Sequence, residues 1–266
     1  MITCTLQGGL ANIMFQIAAM RSFAKDKNTE VSFPNFSSQL DAMNKDTHHN
    51  PKLTYAQEYA TIFKNLNLKQ DNVASSRTIS IPFMFAEIPY EDRASYSGFF
   101  QCEKFFKHNR DLILDMYEPN DSIKAYIIGK YSDLLNIETC AIHVRRGDYL
   151  KLQHVHCVQD IEYFRQGMEA IGDVQKYVVF SDDIQWCKDN FKGDKFVFIE
   201  GEKDYVDLFL MSMCNHQITS NSSFSWWAAW LNKNPNKKVV GPLRWFNEQS
   251  IASQDILPES WIKIYV

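Results

Sequence analysis

Between residues 140 and 240, short apolar runs alternate with segments of helical spacing, and that alternation limits the fold more than any other feature. Residues 140–144 (CAIHV) read as a strand. Across 160–171, Ile161, Phe164, Met168 and Ile171 recur at helical spacing. The run 177–181 (YVVFS) is β-branched and aromatic, which suits a buried strand, and Asp182 stands where it can cap a helix running to about Phe191. Residues 195–200 make the next strand, 205–214 an apolar helix and 217–219 a short strand. Ser222 or Ser223 then caps a helix carrying Trp226, Trp227 and Trp230, before a last strand at 238–240. Strands separated by helices pair in parallel, so this half predicts a doubly wound α/β sheet.

The first half follows the same plan less clearly. Residues 1–6 read as a strand, Gly8 and Gly9 as a turn, and 11–25 as a helix with Ile13, Ile17, Met20 and Phe23 along one side. A strand is expected at 31–33 and helix at 111–131; the pattern weakens over 37–97. The expected division is into halves at 1–135 and 136–266, with no internal repeat. Hydrophobic residues at 45% and aromatics at 14% are enough for a substantial core. A net charge of −4 argues against general nucleic-acid binding, so any anion site must be local. The six cysteines are dispersed and sit in apolar runs, as small buried hydrophobes do, which suggests a reducing compartment. The start, MITCTLQGGL, lacks the basic and apolar regions of a signal peptide, and no apolar run reaches the ~18 residues of a membrane span. A soluble protein is expected, with peripheral contact to a membrane surface left open.

Within this frame three motifs carry chemistry. The first is Arg145-Arg146-Gly147-Asp148, directly after the strand at 140–144. Ligands of open α/β sheets bind beyond the carboxyl ends of the strands, and arginine there presents a planar fork matching phosphate oxygens. Surface ion pairing is the plainer alternative. His143 is either a core histidine bonded to a carbonyl or a ligand contact, and Asp148 either orients an arginine or accepts a proton. The second motif is Asn221-Ser222-Ser223-Phe224-Ser225, where a strand gives way to a helix. Free N–H groups and the helix dipole make such an end an anion site, although serine there also serves plain capping. The tryptophans behind it suit core packing. The third is the turn Gln7-Gly8-Gly9-Leu10-Ala11-Asn12, which lacks the third glycine of a dinucleotide fingerprint. Asp182-Asp183 reads as helix capping rather than as a metal site, and neither His48-His49 nor His154-x-His156 has convincing metal partners.

Together HVRRGDY, GGLANIMFQ and DLFLMSMCNH…SNSSFSWWAAWL resemble the α-1,2-fucosyltransferases of glycosyltransferase family 11, in three separated stretches and in the right order. The resemblance implies a GT-B-like fold of two Rossmann-type α/β halves around a central cleft. The N-terminal half would serve the acceptor and the C-terminal half would bind GDP-fucose. It implies an inverting enzyme that moves L-fucose from GDP-β-L-fucose to the 2-hydroxyl of a terminal β-galactoside, with no metal and no other cofactor. Arg145 would hold the diphosphate and His143 would lie near the nucleotide; Asp207 would contact guanine, and Ser222, Ser223 and Phe224 would line the phosphate end. Gly9 and Asn12 would belong to a cleft turn, in which Ala11 and Ile13 replace the family's usual glycine and glutamine. Asp148 is the candidate general base. The partners implied are GDP-fucose and a galactose-terminated glycan, with action in the cytoplasm or at the inner membrane face. A non-catalytic nucleotide-sugar-binding module and a fucosyltransferase of different linkage are the alternatives.

Overall fold

A computed structural model of the protein describes residues 1–45 and 56–265. These form two compact units, one of 1–45, 56–120 and Ala252–Pro258, the other of Asp121–Ile251 and 259–265. The division comes before a helix at Asp121–Leu135, whereas the sequence reading set it after Leu135. Among the described residues no helix is long and apolar enough to cross a membrane.

The first unit runs β1 (Ile2–Cys4), α1 (Leu10–Asp26), β2 (Val31–Ser32), α2 (Phe36–Lys45), α3 (Ala56–Tyr59), β3 (Thr78–Ser80), β4 (Ser95–Ser97) and α4 (Arg110–Met116). Its four strands are all parallel, in the order β2-β1-β4-β3. Helix α1 is buried on nearly every side, which fits its run of Ile, Met, Phe and Ala. The weak region 37–97 contains a central strand that the sequence hides. Strand β4 is three residues long and only Tyr96 of it is fully buried, while Ser97 pairs its hydroxyl with Ser80 at 3.2 Å. The helix expected at 111–131 is two, α4 and the next, because Pro119 cannot supply the N–H a continuous helix needs.

The second unit runs α5 (Asp121–Leu135), β5 (Thr139–Val144), α6 (Ile161–Ile171), β6 (Lys176–Ser181), α7 (Ile184–Asn190), β7 (Phe196–Phe198), α8 (Asp204–Met213), β8 (His216–Ile218), α9 (Ser223–Leu231), β9 (Val239–Pro242) and β10 (Ile262–Ile264). All pairings are parallel, in the order β10-β9-β8-β5-β6-β7. β5 is buried throughout and β6 from Tyr177 to Ser181, as expected of strands covered by helices on both faces. Helix α9 buries Trp226, Trp227 and Trp230 almost completely, with Trp226 and Trp230 stacked at 6.2 Å. The tryptophans are core. β10 is mostly exposed and carries no hydrophobic signature in the sequence. Five cysteines are buried, Cys157 is partly so, and all six are free thiols. Burial pushes the Cys187 thiol up to about 11 and Cys214 up to about 12, which makes them inert packing groups.

Candidate functional site

Strand order locates the site in the second unit. From β5 the chain builds outward through β6 and β7, then returns to the other side of β5 for β8, β9 and β10. The two connections leave neighbouring strands in opposite directions, so a crevice opens at the carboxyl ends of β5 and β8. The residues that follow those two strands are the arginine loop, from Arg145, and the serine turn, from Thr219 to Ser222.

The arginine loop is held by carboxylates from the loop after β6. Arg145 Nη1 lies 3.0 Å from Asp182 Oδ2, and its Nη2 lies 2.6 Å from Asp148 Oδ1. Asp182 Oδ1 also accepts the backbone N–H of Arg146 at 2.9 Å. Arg146 Nε donates to Asp183 Oδ2 at 3.1 Å and its guanidinium lies 4.3 Å over the Trp186 ring. Asp183, not Asp182, caps α7 by accepting the Trp186 N–H at 3.2 Å. Asp182 is the residue that shapes the arginine loop. Gly147 leaves room for Asp182, since a Cβ there would stand 2.6 Å from Asp182 Oδ2. Two guanidinium groups thus face three carboxylates, and an incoming anion competes with Asp148 and Asp182 for the Arg145 fork.

The serine turn meets this loop directly. His143, buried near the end of β5, shares a 2.8 Å hydrogen bond between Nδ1 and Ser220 Oγ, and its ring lies 5.8 Å from that of Phe224. Tyr149 donates its hydroxyl to the Asn221 carbonyl at 3.2 Å, with its ring 5.3 Å from the Arg145 guanidinium carbon. Ser222 is the N-cap of α9, its hydroxyl accepting the Phe224 N–H at 3.3 Å. Ser223 and Phe224 open the helix and are partly exposed. Four side-chain atoms on these loops are buried from solvent, namely Asp148 Oδ1, Asp182 Oδ2, His156 Nδ1 and Asn221 Oδ1. The first two touch Arg145 as ion pairs without aligned N–H bonds.

His143, Arg145, Asp148, Ser222, Ser223 and Phe224 therefore belong to loops around one switch point. Asp207 lies buried in the first turn of α8, which enters from the β7 side. Gly9 and Asn12 belong to the first unit, whose sheet has its own reversal between β1 and β4. There Asn12 Oδ1 accepts from Gln101 Nε2 at 2.7 Å, joining the turn after β1 to the loop after β4. Three amide side chains pin that turn's backbone. Asn35 brackets Leu6, Gln16 brackets Gln7, and Gln39 donates to the Gly8 carbonyl at 3.0 Å. Gly8 has φ +82°, which favours glycine. Sequence reasoning missed Gln101, Asp182's role and the bond between Tyr149 and Asn221, because each acts through a partner far along the chain. His48-His49 lies outside the described residues. Among the described residues no cluster of three or more His, Cys, Asp or Glu is arranged to hold a metal ion.

Comparison with known proteins adds an independent line. A family model described as glycosyl transferase family 11 matches residues 1–265. The chain is 29% identical over 307 residues to the O-antigen biosynthesis glycosyltransferase WbnK of Escherichia coli, covering 99% of this chain and 100% of that protein. It is 28% identical to an alpha-1,2-colitosyltransferase of Escherichia coli over 99% of this chain and 98% of that protein. To galactoside alpha-(1,2)-fucosyltransferase 1 of Bos taurus it is 30% identical over 50% of this chain and 42% of that protein. Among solved structures, the alpha-1,6-fucosyltransferase NodZ soaked with GDP-fucose superposes with a TM-score of 0.55 at 12% identity, over 86% of this chain and 92% of that one. That likeness supports the fold, a GT-B-like pair of α/β halves.

Proposed function

The chain belongs to glycosyltransferase family 11, and from that premise we propose that it moves L-fucose from GDP-β-L-fucose to the 2-hydroxyl of a terminal β-galactoside, inverting the anomeric centre. The observation that carries this reading is the meeting of the Arg145 loop and the serine turn at the β5/β8 switch point, through Tyr149 and Asn221. Fucosyl transfer builds positive charge on the sugar and negative charge on the leaving diphosphate. Arg145 takes part of that negative charge, and the N–H groups at the start of α9 with the helix dipole take the rest. One preorganised donor of this kind supplies about 2.7–4 kcal/mol. Asp182 and Asp183 are occupied with arginine and a helix cap, which supports a reading in which no divalent cation takes part. His143 lies against Ser220 and Phe224, beside the nucleotide; Asp207 contacts the base; Gly9 and Asn12 serve the acceptor side. Asp148 is the candidate base, and it takes the acceptor proton once the diphosphate has drawn Arg145 away from it.

A colitosyl donor is the second reading. The colitosyltransferase aligns over nearly the full length of both chains, whereas the galactoside fucosyltransferase aligns over half of this one. The deciding experiment incubates the protein with GDP-fucose and a terminal β-galactoside, with and without EDTA, followed by linkage analysis. An α-1,2-fucosylated product in both conditions is expected. No fucosyl transfer, with transfer from a colitosyl donor instead, selects the second reading. Loss of product in EDTA overturns metal independence.

A further inference from the structure

Tyr149 touches both arms of the site described above, and its surroundings hold it as a strut of fixed length. At one end its ring lies 5.3 Å from the Arg145 guanidinium carbon, within the same short turn that carries Asp148. At the other its hydroxyl donates to the Asn221 carbonyl at 3.2 Å. Asn221 is itself anchored, donating Nδ2 to the Trp245 carbonyl at 2.8 Å. The ring is backed by His156, stacked at 4.1 Å and an interplanar angle of 6°. His156 is seated in turn. Its backbone forms an isolated antiparallel bridge to Phe246, whose ring lies 5.7 Å away, and its N–H donates to the Leu152 carbonyl at 2.9 Å. Asn247 Nδ2 ties the same loop by donating to the carbonyls of Gln153 at 2.6 Å and His156 at 3.2 Å.

Resting on the donor reading, we propose that Tyr149 is a positioning residue that sets the gap between the Arg145 guanidinium and the serine turn, and so makes the site select a nucleoside diphosphate over a monophosphate. A phenol has two torsions and a rigid ring, so it fixes a spacing that a long aliphatic side chain would leave loose. A diphosphate offers one phosphoryl group to the guanidinium and the other to the N–H groups of the turn. A monophosphate reaches one arm and is indifferent to the gap. Burial pushes the Tyr149 phenol up to about 12, so at neutral pH the hydroxyl keeps the proton that it gives to Asn221. Removing the hydroxyl frees one end of the strut while leaving the ring contacts with Arg145 and His156 in place.

Calorimetric titration of GDP and GMP into the whole chain reads the gap directly. Wild type is expected to prefer GDP. Tyr149→Phe is expected to weaken GDP about fivefold, the loss of one hydrogen bond, with GMP unchanged. His156→Phe keeps a flat stacking partner and should match wild type, whereas His156→Ala should erode the GDP preference. His156→Ala also carries the test if Tyr149→Phe does not fold. A GDP-to-GMP ratio that stays at the wild-type value in Tyr149→Phe and His156→Ala overturns the inference, as does an equal loss of both ligands. Wild type that binds neither nucleotide overturns the donor reading, and this inference with it.

Discussion

At the scale of single residues, the account turns on Arg145. Its fork is shared between Asp148 and Asp182 and lies near the Tyr149 ring, which aims it before any ligand arrives. Arg145→Ala is expected to cripple turnover, and Arg145→Lys is expected not to restore it, because an ammonium is a point charge without the planar fork. Steady-state rates with GDP-fucose check both; near-normal turnover in Arg145→Ala contradicts the assignment. Gly147→Ala tests the scaffold around it. The added Cβ must displace Asp182, which holds both Arg145 and the Arg146 N–H. Donor KM should rise while thermal stability changes little; an unchanged KM would show that Asp182 does not aim the fork. Asp148→Asn separates roles, since intact GDP binding with lost transfer fits a base and unchanged transfer removes it. The placement of Arg145, His143 and the serines at strand ends could be read from sequence because motif and strand end coincide. Asp182, Tyr149 and Asn221 could not, because their meaning lies in partners 36 to 72 positions away.

At the scale of elements, two helices offer separate tests, α9 at the site and α5 in the packing around α8. The N-terminus of α9 combines the Ser222 cap with proposed diphosphate contact. Ser222→Ala should cost about 1 kcal/mol of stability as a lost cap, and a fall in GDP affinity beyond that would separate binding from capping. Helix α5 is tied to the start of α8 by Glu202, which receives hydrogen bonds from Lys130, Tyr126 and Tyr131. Tyr131 leaves helical geometry, with φ −118° and ψ 19°, where it makes that contact. Burial alone would raise the Glu202 pKa, but the hydrogen bonds from Lys130, Tyr131 and Tyr126 outweigh it and hold the carboxyl below its ordinary value. A carboxylate depressed in the folded state contributes stability above its unfolded pKa, and that contribution is lost as pH falls through the folded value. Thermal unfolding followed from pH 6 downward should therefore show an acid-labile component, beginning near pH ~4.5, that Glu202→Gln removes. An identical acid limb in the variant would contradict it. Strands β5, β6 and β8 were readable because near-continuous burial writes itself as apolar runs, and the partly buried β7 because it is Phe-Val-Phe. β4 and β10 were not, because three-residue strands with polar or exposed positions carry no period.

At the scale of the whole molecule, strand order explains why residues scattered from 143 to 224 come together at one sheet edge. The alternation in the second half predicted a parallel sheet; it did not predict that β8 returns beside β5, which brings the two arms together. That return is a long-range pairing, and local pattern is blind to it. The first unit repeats the logic, with the pinned glycine turn at its own reversal. The central claim is that Arg145 and the amide-rich start of α9 together hold a diphosphate with no cation between them. Calorimetric titration of GDP in the presence of EDTA, into wild type and Arg145→Ala, tests it most directly. The account predicts binding by wild type despite EDTA and a loss of about 3 kcal/mol, roughly a hundredfold, in the variant. Equal affinity in the two proteins, or binding that appears only when a divalent cation is restored, would contradict it.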